Sequence, residues 1–168
     1  MCEASLTEAL LSLQVNWDTS VVENAVLTPE ALISANVNPA TGLATDYLNH
    51  FNEVAMLVDM LPAMPEMAQD ILDWRPRPYT EHFFATGYSG AAVAVAAYLA
   101  ADPVVRASFD EACLAVDGAV AGIQARLQAG ALESVTPADT ALLYALIAEA
   151  GGIINGSVAQ SAVDALFD

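Results

Sequence analysis

Apolar residues recur along this chain at helical intervals. The clearest run lies between Pro103 and about Gln128: Val105, Phe109, Ala112, Cys113, Val116, Val120, Ile123 and Leu127 follow at steps of 4, 3, 1, 3, 4, 3 and 4. Those steps trace one face of a long helix. Asp102 stands where an N-cap belongs and Gly130 where a C-terminal stop belongs. Asp110, Glu111 and Asp117 fall off the stripe, and Gly118 with Gly122 would admit a neighbouring helix closely.

Other elements announce themselves by their starts and stops. Ser5 and Glu8 form a capping-box pattern ahead of Leu10, Leu11 and Leu13. Thr28-Pro29-Glu30 and Thr136-Pro137-Ala138-Asp139 each place a cap before a proline at the first helical position. Thr45 is positioned to cap a helix from Asp46 to about Leu61, stopped at Pro62, and Pro65 opens a short helix through Trp74. The connector Arg75-Pro76-Arg77-Pro78-Tyr79 is stiff, because each proline fixes its own φ and restricts the residue before it. "TEHFFA" leads into a loop at "TGYSG", and the alanine content of "AAVAVAAYLAA" favours a tightly packed helix over a strand. No run of strands and no fixed-period repeat is visible. The expected class is all-α: a single-domain bundle of about five to seven helices over residues 1–155, with a short tail at 156–168.

Composition narrows the function. The chain has 168 residues, 56% hydrophobic and 15% charged, enough for a real core and too apolar for a disordered chain. Acids number 21 against four arginines and no lysine, a net charge of −17. No nucleic-acid partner is expected, since a phosphate backbone needs a basic face, and no anionic membrane surface. A basic partner patch or plain solubility fits better. Cys2 and Cys113 offer neither zinc spacing nor a plausible structural disulfide. The start "MCEASLTEALLSL" lacks the basic region of a signal peptide, and the longest uncharged apolar run falls short of a membrane span. A cytoplasmic protein is expected, with no cofactor.

The densest polar cluster is "DYLNHFNE". On a helix at 100° per residue, Asp46, Asn49, His50 and Glu53 share about 100° of arc, on a stripe continued by Leu57 and Met60. Tyr47, Phe51, Val54 and Val58 form a second apolar face, leaving Leu48, Asn52, Ala55 and Asp59 as the expected solvent strip. The cluster is thus either a buried network tying helices together or the floor of a pocket. A ligand or metal site would draw on Asp46, His50 and Glu53 with Glu81 or His82, although the His-x-x-Glu order and the adjacency of Glu81 and His82 depart from the helix pairs of di-metal bundles. Nucleophilic and phosphate-loop signatures are missing from the sequence. Arg75 and Arg77, beside Trp74 and Tyr79, suit a rigid connector or a grip on a carboxylate or phosphate.

The C-terminal residues Gln160, Val163, Asp164, Leu166 and Phe167 follow the order Gln, two variable residues, a β-branched apolar residue, Asp, a variable residue, Leu and a large apolar residue. This tail resembles the short peptide by which the chemotaxis phosphatase CheZ and the flagellar switch protein FliM dock on the response regulator CheY. The residue before Val163 is Ala162, where those peptides often carry an acid. Val163, Leu166 and Phe167 form one apolar face at i, i+3, i+4, suited to helix-in-groove docking. The alternative is that they pack on their own bundle. The resemblance implies a receiver-domain partner and an acid with an amide on one helix to speed aspartyl-phosphate hydrolysis. The chain has no Asp-x-x-x-Gln of the CheZ kind; Asp46-x-x-Asn49 and Glu66-x-x-Gln69 are nearer the Glu-x-x-Asn of the CheC and CheX group, and the first is favoured by its place in the polar cluster. Three readings therefore stand: a regulatory protein docking a receiver, with Asp46 and Asn49 as its chemistry; a ligand or metal site at His50, Glu53 and His82; and a homo-oligomeric assembly protein joined through an alanine-rich helix.

Overall fold

The computed structural model describes residues 19–156. Among them are eight α-helices and one two-residue hairpin, an all-α architecture. The helices are α1 (Thr19–Glu23), α2 (Pro29–Ser34), α3 (Asn49–Met60), α4 (Met67–Asp73), α5 (Tyr79–Ala85), α6 (Ala91–Ala100), α7 (Pro103–Gln128) and α8 (Pro137–Ile154). The strands β1 (Val37–Asn38) and β2 (Leu43–Ala44) pair antiparallel with Val37 opposite Ala44. The count exceeds the expected five to seven because α1 is too short to carry a periodic signal, and because "TEHFFA" continues the extended connector as a helix of its own.

Local capping sets the frame. Asp102 Oδ1 accepts from the Val104 and Val105 amides at 2.8 and 3.3 Å, so α7 starts where two orphan donors are satisfied. At α8 the Asp139 carboxylate reaches back to the Thr136 amide at 2.8 Å and also pairs with the guanidinium of Arg126. Arg126 Nη1 donates to the Ser134 carbonyl at 2.8 Å, so one side chain ties the end of α7 to the start of α8. The two helices fold back on each other and form the most extensive packing in the molecule.

The core lies where α8 packs on both α7 and α3, with α4 packed on α3 and α7 and α5 packed on α6. Phe51, Phe83, Phe109, Ile71, Leu143 and Val95 are fully buried, each stabilising by about 1.5–3 kcal/mol relative to exposure. The expected stripe of α7 is the buried one: Phe109, Val116, Val120 and Ile123 point inward. Gly118 and Gly122 do not carry the expected close helix contact. They lie about 200° around the helix from Val116 and Val120, where an added Cβ would meet nothing within 4 Å.

The helix carrying the polar cluster also departs from expectation. Thr45 does not cap it; the chain enters through a 3-10 turn, Thr45–Leu48, and α3 begins at Asn49. That turn has three residues per turn, which shifts the phase of everything after it. Because α8 and α4 both pack on α3, Leu48 and Ala55 are buried rather than solvent-facing; Asp59 is exposed as expected, Asn52 is half-buried, and the wet face is Asn49, Glu53, Met56, Asp59 and Met60. The hairpin fixes the other end of the assembly. Asn38 Nδ2 and Thr41 Oγ1 both donate to the Ile154 carbonyl, at 3.0 and 2.7 Å, capping the end of α8. Gly42 turns the hairpin at φ +72, with the Ala97 carbonyl 2.8 Å from where a Cβ would sit.

Candidate functional site

The 3-10 turn places Tyr47 at the centre of an aromatic cluster. Its ring lies 5.4 Å from His82, 5.1 Å from Tyr79, 5.4 Å from Phe51 and 6.3 Å from His50, centroid to centroid. Its hydroxyl donates to the Arg77 carbonyl at 2.7 Å, tying the proline connector to the core. His50, on α3, stacks on Trp74 at 4.7 Å, and the Trp74 indole N–H donates to the His50 carbonyl at 3.3 Å. His82, on α5, comes within 6.0 Å of His50, centroid to centroid.

Both imidazoles are buried, and among the described residues His50 Nε2 and His82 Nδ1 find no hydrogen-bond partner. Burial pushes the His50 pKa down to about 4, and the positive charges of Arg77 and of His82 add to the effect. His82 is lowered by burial and then by Arg77, against which the Asp46 carbonyl and carboxylate act in the opposite sense. At neutral pH the pair is therefore uncharged.

Of the other expected site residues, Glu53 and Glu81 are exposed, apart from the two buried imidazoles. Among the described residues no group of three or more His, Cys, Asp or Glu side chains is placed to hold a metal ion. The ligand set His50, Glu53, Glu81 and His82 is not assembled as metal chemistry requires, because the carboxylates face water while the imidazoles face inward. Arg75 donates to the Leu72 and Trp74 carbonyls, and so serves the helix end and the connector.

Asp46 and Asn49 do meet at a surface. With His82, Phe83, Thr86 and Tyr88 they line a cleft of about 280 Å³. The Asp46 carboxylate accepts from Asn36 Nδ2 with both oxygens, at 3.2 and 3.1 Å; Asn36 itself has a left-handed backbone, φ 56. Asn49 is exposed at the cleft edge. Gln160, Val163, Asp164, Leu166 and Phe167 lie outside the described residues, as do Ser5 and Glu8.

Several functional-looking residues escape sequence reasoning. Gln124 Nε2 donates to the carbonyls of Ile71 and Trp74 at 2.8 and 2.9 Å, pinning the end of α4, where the connector begins, to α7. Asp110 and Asp117, expected merely off the apolar stripe, are half-buried against that connector. Their spacing of seven, two helical turns, is the signal that both share a face. The described helices include one, Pro137–Ile154, long and apolar enough to cross a membrane, and it packs here against α7 and α3.

The chain matches no protein-family model, no curated protein and no solved structure.

Proposed function

We propose that this chain is a small acidic helical regulatory protein that docks a response-regulator receiver domain through Gln160, Val163, Asp164, Leu166 and Phe167. The observation that carries the reading is the five-residue docking pattern of the tail. The exposure of Asn49 beside Asp46 on one cleft is consistent with it. In this reading Asn49 orients a water in line with the receiver's aspartyl phosphate. The water oxygen bonds to phosphorus, the acyl–phosphate P–O bond breaks, and inorganic phosphate leaves. Asp46 contacts the receiver's lysine once it exchanges its hydrogen bonds with Asn36.

The test is the lifetime of the phosphorylated receiver with and without the protein. Asn49→Ala is expected to abolish any acceleration while leaving the fold intact, since Asn49 is exposed. Acceleration unchanged in Asn49→Ala would overturn the catalytic part of the reading.

A second reading rests on the orphaned nitrogens of His50 and His82. Two neutral imidazoles under an aromatic cluster suit a small hydrogen-bonding ligand that reaches His82 through the cleft it shares with Asp46.

A further inference from the structure

Every methionine after Met1 falls in one short stretch: Met56, Met60, Met64 and Met67. The backbone sets each of them one turn from the next. Met56 and Met60 lie four apart on the wet face of α3, which puts their Cβ atoms about 5–6 Å apart. The Met64 amide donates to the Met60 carbonyl at 2.9 Å, adding one more turn past the end of α3. The Met67 amide donates to the Met64 carbonyl at 3.0 Å, so Pro65 and Glu66 form a tight turn whose ends lie within about 7 Å of each other.

These side chains are not core. Met56 is 55% and Met60 39% exposed, and Met64 is half-buried. Leu57, between the first two, packs on the core, as Met67 does in part. The core thus takes the leucine and leaves Met56 and Met60 at the surface.

A thioether is a neutral, soft donor on a side chain with three rotatable bonds. Neighbours one turn apart can close their sulfurs on a single ion, and sulfur donors favour Cu(I) over harder cations. Among the described residues, carboxylates, imidazoles and thiols form no competing group of three or more. From Phe51 to Asp73 the chain holds no basic residue, while the exposed acids Glu53, Asp59, Glu66 and Asp70 are interspersed with the methionines in sequence. With a net charge of −17, this surface attracts cations and has no fixed positive charge of its own to repel them.

We propose that the end of α3 binds one Cu(I) ion through the thioether sulfurs of Met56, Met60 and Met64. The ion is held and undergoes no change of oxidation state. The inference is independent of receiver docking and of the His50–His82 pair.

Competition with the chelator bicinchoninate for Cu(I) tests it, under ascorbate and at near-physiological ionic strength so that diffuse attraction to the acidic surface is screened. Cys2→Ser serves as the parent, so that the N-terminal thiol contributes nothing. Cys113 is buried, and burial above all pushes its thiol pKa up to about 12. Withdrawal of about one equivalent of Cu(I) from the chelator is expected. Met60→Leu, a swap of similar volume at a partly exposed site, should weaken binding by about tenfold or more, at least what the loss of an outer-shell partner costs a metal site. Met60→Leu combined with Met64→Leu should abolish it. Asp59→Asn, at an exposed carboxylate, should leave it within about twofold. A thioether has no proton to displace, so affinity at about pH 6 should stay within about threefold of that at about pH 7.5. X-ray absorption at the copper edge should show sulfur neighbours and no imidazole. The proposal is overturned if Cys2→Ser withdraws no Cu(I), or if the double leucine variant, with its fold intact, binds as the parent does. It is also overturned if Zn(II) binds as tightly at these methionines, or if the copper edge shows imidazole nitrogen.

Discussion

Acidification should destabilise this protein through His50. The side chain is 6% exposed, stacks on Trp74 and has no partner for Nε2 among the described residues. Its folded pKa lies at about 4 against an ordinary 6.5, mainly because burial disfavours the imidazolium. The unfolded chain therefore takes up a proton as pH falls below 6.5, while the folded chain resists until about pH 4. The neutral-pH stability is kept above 6.5 and is lost progressively down to that lower value. At 1.36 kcal/mol per pH unit, the loss from His50 alone between pH 7 and pH 5 is about 2 kcal/mol, in a window above the isoelectric point of about 4.1. Asp110 and Asp117 work in the opposite sense, since burial raises their pKa values. The informative quantity is thus a difference: urea unfolding of the parent and of His50→Gln, each at both pH values. The parent should lose about 2 kcal/mol more than the variant over that interval. Parallel losses, within about 0.5 kcal/mol, would show that His50 titrates as an exposed imidazole and would refute the buried, uncharged pair.

Two other substitutions probe the frame. Gly42→Ala combines a left-handed φ of +72 with a Cβ 2.8 Å from the Ala97 carbonyl, and should lower stability by more than about 1 kcal/mol in thermal or urea unfolding. Asp139→Ala removes the back-bond to the Thr136 amide and the pairing with Arg126; because the pair is partly exposed, the loss should be about 1–2 kcal/mol by the same measurement.

Much of the frame is legible because it is local. The stripe from Val105 to Leu127 needs only helical periodicity, and Asp102-Pro103 with Thr136-Pro137 declare helix starts through chemistry confined to three or four residues. What escapes is set by tertiary contact. The 3-10 entry at Thr45–Leu48 comes directly after the hairpin, and with it goes the phase that buries Leu48 and Ala55 and exposes Asn49 and Met60. Two-residue strands leave no alternation to read. His50 and His82 can be picked out by their rarity, but their approach to 6.0 Å depends on how α5 lies across α3. Asp110 and Asp117 resemble ordinary surface acids until the connector is laid over them.

The most direct test of receiver docking is fluorescence anisotropy of the labelled full-length protein with a CheY-type receiver domain, in its unphosphorylated form and in the beryllofluoride-activated form. The account predicts saturable binding, tighter to the activated receiver, and lost when Leu166 and Phe167 are both changed to Ala. No binding to either form, or binding that survives the double substitution, would contradict it.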